Sequence, residues 1–105
     1  MSATAATAIR QCQPPIYNGY NEGGVLVWFV PAQPVFIDSR QDPYPVVLVQ
    51  AHRQAERTGD YAPLFARYGI HCAVFHAGSE GPARLAARGW HERFRDGQWV
   101  VLDPP

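Results

Sequence analysis

The side chains that could do covalent chemistry are few: two cysteines, Cys12 and Cys72, and four histidines. Cys72 and His76 are the one pair that suggests a thiol nucleophile with its base. Both fall in a run, Ile70 to His76, that reads as a strand. Side chains four apart on a strand share a face but stand roughly 13 Å apart at ~3.3 Å per residue. A base must come within about 2.6–3.2 Å of its nucleophile, so the pair fails and Cys72 reads as a core residue. His71, Cys72 and His76 also fail as metal ligands, because neighbours on a strand point to opposite faces and no second pair with zinc spacing occurs. His52 and Glu56 stand i, i+4 on an expected helix and can meet on its surface; a solvated helix face is favoured over a site. His91 falls on an expected exposed strand position with no evident partner. Cys12 and Cys72 are compatible with one disulfide, which would suit an oxidising compartment. Two reduced thiols, with Cys72 packed in a strand, are the favoured reading.

The densest polar cluster is Asp38-Ser39-Arg40 with Asp42 and Tyr44, directly after Val35-Phe36-Ile37. That apolar run reads as a buried parallel strand. In open α/β sheets ligands bind beyond the carboxyl ends of strands. The loop 18–24, after a first strand at 16–18, should open at the same end. Asn18, Tyr20, Asp38, Arg40 and Asp42 are therefore the expected lining of a polar pocket, with Arg40 available for a phosphate or carboxylate. A structural tie between the two loops through Asp38 and Arg40 is favoured over a ligand. Phosphate-loop, dinucleotide and Gly-x-Ser-x-Gly patterns are absent. No catalytic residue, metal site or cofactor is assigned.

The elements that must position these residues follow from punctuation and periodicity. Residues 3–10 could form a helical turn, with 1–8 frayed, before Gln13-Pro14-Pro15 stops any helix. The glycines of 19–24 read as a turn-rich loop, and the apolar run 25–30 fits either a strand or a short buried helix. A helix is expected over 46–57, closed by Gly59. Asp60 can cap a short helix that tolerates Pro63 in its first turn and carries the stripe Tyr61, Leu64, Phe65, Tyr68. Gly69 ends it. A strand at 70–76, a helix at 79–88 burying Leu85, and a hairpin of 90–94 with 98–102 around Arg95-Asp96-Gly97 complete the chain. Strands alternating with helices predict an α/β fold: a small Rossmann-like three-layer sandwich, with a mostly parallel sheet and a C-terminal antiparallel hairpin.

Composition sets the outer bounds. The 105 residues, 47% apolar and 17% charged, suit a single domain with one core. Ten prolines and nine glycines imply short elements and sharp turns. Nine arginines balance nine acidic residues without a basic run, which makes nucleic acid a poor partner. The longest apolar run, Val25 to Val30, is far short of the ~20 residues that span a bilayer. The start lacks the charged and apolar regions of a signal peptide, so export would depend on something outside these residues.

Two segments in order carry a resemblance. Tyr17-Asn18-Gly19-Tyr20-Asn21-Glu22-Gly23-Gly24-Val25-Leu26-Val27-Trp28 is followed by Pro34-Val35-Phe36-Ile37-Asp38-Ser39-Arg40 and Asp42-Pro43-Tyr44. Arg67-Tyr68-Gly69-Ile70 and the span 90–102 then follow. Over residues 9–103 the chain resembles the soluble C-terminal region of bacterial GT-C-type membrane proteins, which are lipid-linked-sugar glycosyltransferase-like. Ser39 stands where that pattern usually has glycine, Glu22 where it has an aromatic and Val25 where tyrosine is common. The resemblance implies an extracytoplasmic, periplasmic accessory domain without catalytic residues of its own. It would recognise a glycan, a lipid-linked sugar or a partner, or buttress the membrane-embedded portion of the same parent protein. Two rivals need no parent: a free-standing thiol-dependent, rhodanese-like enzyme with Cys72 exposed, and a protein–protein interaction module presenting Trp28, Trp90 or Trp99.

Overall fold

The structure, a computed structural model, describes residues 1–30, 34 and 46–105. Among the described residues nine elements follow one another: α1 (Ala3–Arg10), β1 (Ile16–Asn18), α2 (Tyr20–Phe29), α3 (Val46–Thr58), α4 (Ala62–Tyr68), β2 (Cys72–His76), α5 (Gly81–Ala86), β3 (His91–Arg95) and β4 (Trp99–Asp103). Strand β2 is the axis. Because strand side chains alternate, Cys72 and Val74 enter one apolar cluster with Ile9 of α1, Leu26 of α2, Trp99 and Val101. Ala73 and Phe75 enter a second with Ala55 of α3, Leu64 and Phe65 of α4, Leu85 of α5, Val100 and Leu102. Helices thus cover both faces, and β2 and β4 read as near-continuous apolar runs for that reason.

The expected mostly parallel, Rossmann-like sheet is not what forms. The strand order is β1-β2-β4-β3. Among the described strands only β1 and β2 pair in parallel, whereas β4 runs antiparallel to β2 and to β3. The hairpin does not hang on one edge: its second strand inserts beside β2, with Val74 opposite Val101 and His76 opposite Trp99. Alternation of strands and helices reports that both sheet faces need covering, but not the direction in which the last strand returns. The strand expected at 35–37 lies outside the described residues.

A second correction concerns residues 19–29. The expected glycine loop is instead the start of α2, with Gly19 as N-cap and Glu22 in the first turn, where a carboxylate suits the helix dipole. Leu26 and Val30, four apart, are both fully buried and hold the helix against the sheet. Its hydrophobicity is nearly uniform around the axis, so no 3.6-residue stripe advertises the helix.

Elsewhere local signals and structure agree. The stripe of α4 buries Tyr61, Leu64 and Phe65, and Gly69 closes it in the left-handed conformation (φ 63°) that glycine adopts without a Cβ penalty. In the hairpin, the Asp96 carboxylate accepts the Gln98 and Trp99 N–H groups at 2.8 and 2.7 Å, and these bonds hold its carboxyl below the usual range. At the start of the chain the expectation of a frayed 1–8 is not what forms: α1 is a two-turn helix capped by Ser2, whose Oγ accepts the Ala5 N–H at 3.0 Å, and it buries Ala5, Ala8 and Ile9.

Candidate functional site

Strand β1 delivers Tyr17 to the α3/α4 face, where its ring lies fully buried among Phe65, Tyr61, His52 and Phe75 at centroid distances of 5.1, 5.5, 5.7 and 5.8 Å. A buried phenol needs a partner for its O–H. Glu56 of α3 supplies it: its carboxylate accepts the Tyr17 hydroxyl at one oxygen and the Tyr61 hydroxyl, at 3.0 Å, at the other. Arg84 of α5 donates to the Glu56 main-chain carbonyl at 2.8 Å and to the Glu80 carboxylate at 2.6 Å. One glutamate therefore ties β1, α3, α4 and α5 together.

The electrostatics follow from burial. Desolvation, followed by the adjacent Glu56 carboxylate, holds the Tyr17 phenol protonated far above its ordinary range. The same two causes push Tyr61 up to about 12, with Arg84 acting in the opposite direction. Both phenols are thus donors at neutral pH. His52 lies 3.8 Å from the Glu56 carboxylate; desolvation lowers its pKa against the opposing pull of Glu56, Glu22 and the Asn18 main chain. The cluster combines two neutral phenols, a neutral imidazole and a carboxylate that already accepts two hydrogen bonds. It fixes geometry and leaves the half-exposed edge of Glu56 as an acceptor for hydroxyl or amide donors.

Of the expected pocket residues, Asn18 is placed in detail. It is fully buried and donates from Nδ2 to the Gly19 carbonyl at 2.8 Å, which shapes the turn from β1 into α2. Tyr20 opens α2. Asp38, Arg40 and Asp42 lie outside the described residues. The expectation that His52 and Glu56 form a solvated helix face is overturned for His52, which is buried against Tyr17. Ala51, His52 and Ala55 form an i, i+1, i+4 small or apolar stripe on α3, and that was the sequence signal for burial. Nothing local pointed to Tyr17 or Tyr61 as partners of Glu56, since they arrive from β1 and from the start of α4.

The cysteines are joined. Cys12 and Cys72 form a disulfide (S–S 2.06 Å, Cα–Cα 5.7 Å) and are 3% and 0% exposed, so the favoured reading of two reduced thiols is corrected. Proximity rather than spacing decided it: the cysteines are 60 residues apart in sequence, but α1 and the start of β2 meet in one apolar cluster. Among the described residues no three His, Cys, Asp or Glu side chains gather closely enough to hold a metal ion, and no helix is long and apolar enough to cross a membrane. No family model, curated protein or solved structure matches this chain.

Proposed function

We propose that this chain is a non-catalytic accessory domain of a glycosyltransferase-like membrane protein, held at the extracytoplasmic face, where it recognises a substrate or partner or buttresses the membrane part. The observation that carries this reading is the buried disulfide. It engages the only two thiols in the chain, which withdraws the nucleophile that a free-standing thiol enzyme needs, and such bonds persist in oxidising compartments. The sequence resemblance supplies the parent family. Asn18, Tyr20, Asp38, Arg40 and Asp42 remain the proposed lining of any pocket, and the outer edge of Glu56 is a further acceptor available to sugar hydroxyls.

An immunoblot of fractionated source cells tests the proposal. A membrane-fraction band far larger than 11.7 kDa is expected. A soluble band at that mass would overturn it.

A second reading, a protein–protein module, draws on one observation. Trp28 is 75% exposed, while Trp99 is 3% exposed and Trp90 packs against the α3/α4 cluster. Only Trp28 could present such a surface. Self-association abolished by Trp28→Ser would favour that reading.

A further inference from the structure

Residue 93 occupies a β-bulge. Glu92 pairs with Leu102 and Phe94 with Val101, so β3 slips by one residue between them. An extra residue in one strand re-aims side chains, and here it turns Arg93 toward the α1 side of the sheet. The guanidinium lies against the disulfide, with Nη2 at 3.3 Å from Cys12 Sγ and 3.5 Å from Cys72 Sγ. Its orientation is fixed by two further bonds, Nε to the Asp103 carboxylate at 2.8 Å and Nη1 to the Ala8 carbonyl at 3.2 Å. A disulfide sulfur is only a weak acceptor and gains little from a cation. A thiolate in the same place would gain much, because an adjacent arginine lowers a thiol's pKa.

We propose that Arg93 and the Cys12–Cys72 bond form a redox-responsive latch, in which the guanidinium stabilises the thiolate of the reduced state and so makes the bond easier to reduce. The reductant is a dithiol. Its thiolate attacks one protein sulfur, the Cys12–Cys72 bond breaks, and the departing sulfur leaves as a thiolate facing Arg93. The second reductant thiol resolves the mixed disulfide and closes a cyclic disulfide. Two electrons pass to the protein; one cysteine ends protonated, the other ends as the thiolate paired with Arg93, and the remaining proton goes to solvent. The bond links the segment just after α1 to the first residue of β2, so reduction loosens α1 from the sheet. Asp103 holds Arg93 in place while partly neutralising it. This inference does not depend on the proposed parent protein.

The test equilibrates the full chain with graded ratios of reduced and oxidised dithiothreitol, quenches in acid, and counts thiols by alkylation and mass. Equilibrium is the readout because access to buried sulfurs changes only rates. Arg93→Met should shift the equilibrium about tenfold toward the disulfide, ~30 mV for this two-electron couple. Arg93→Lys should stay within a few-fold of the parent chain. Asp103→Asn should shift it the opposite way, toward the dithiol. Both Met and Asn variants moving in the same direction, or neither moving by twofold, would overturn the latch. Should Arg93→Met fail to fold, the sign of the Asp103→Asn shift decides. Hydrogen exchange supplies a second readout: amides of α1 should lose protection on reduction while β2 and β4 keep theirs, and unchanged protection of α1 would contradict the release.

Discussion

At the scale of single residues, Glu56 is the hub, because two buried phenols and a half-exposed carboxylate share one set of hydrogen bonds. Glu56→Ala would strand two buried donors, and stranding a buried polar group costs about 1–3 kcal/mol. Glu56→Gln keeps an acceptor and should cost less. Urea unfolding of the two variants checks the order. His52 predicts how stability responds to acid. Its folded pKa is lowered from the ordinary 6.5, so the unfolded chain takes up the proton first. The stabilising contribution is present above about pH 6.5 and is lost as pH falls through the folded value. The difference in unfolding midpoint between the parent chain and His52→Gln should narrow from pH 7.5 to pH 5.5, and a constant difference would contradict the assignment. The phenols behave in the opposite sense. Their folded pKa values are raised, so their contribution is full below about pH 10 and is lost as pH rises toward the folded values. Tyrosinate absorbance at pH 11 should therefore be unchanged by Tyr17→Phe and reduced only slightly by Tyr61→Phe while the fold is intact.

Among the elements, α5 offers the sharpest steric test. Gly81 backs onto the buried ring of Phe75, and a Cβ there would overlap that ring. Gly81→Ala should destabilise by about 1–3 kcal/mol, the usual cost of overpacking, whereas Gly78→Ala, which meets nothing, should be near neutral. Opening the disulfide with Cys12→Ser and Cys72→Ser together should cost about 2–4 kcal/mol, as expected for a long closed loop. The elements that were legible in sequence are those whose boundaries are written locally: the proline stop before β1, the stripe and glycine end of α4, and the Asp-Gly turn of the hairpin. α2 was not, because Gly23 and Gly24 imitate a loop and the apolar run after them has no helical period. β4's place beside β2 was not legible either, since it is set by two apolar faces meeting across roughly thirty residues. In the candidate site, the strand-end position of Asn18 was legible, and the structure places the residue buried there and bonded to Gly19. Tyr17 and Tyr61 were not, because the partner they share becomes visible only once β1, α3 and α4 are packed together; His52 was legible as a neighbour of Glu56 but not as a buried one.

Across the whole molecule, polar and apolar surfaces divide unevenly. The polar network at the end of β1 is turned inward, while Trp28 and Phe29 at the end of α2 and Val46 and Val47 at the start of α3 stand 47–75% exposed. Large apolar side chains left in water are costly, at about 25 cal/mol per Å² that contact could bury, so each of these gains from contact with another body. Under the proposed function that body is the membrane-embedded part of the parent protein. Spheroplasts of the source cells, treated with protease before and after lysis and probed with an antibody to this domain, provide the most direct measurement. Digestion of the epitope in unbroken spheroplasts, from a membrane-fraction parent band much larger than the domain, is the predicted result. An epitope protected until the membrane is dissolved, or one released as a soluble band of the domain's own size, would contradict the account.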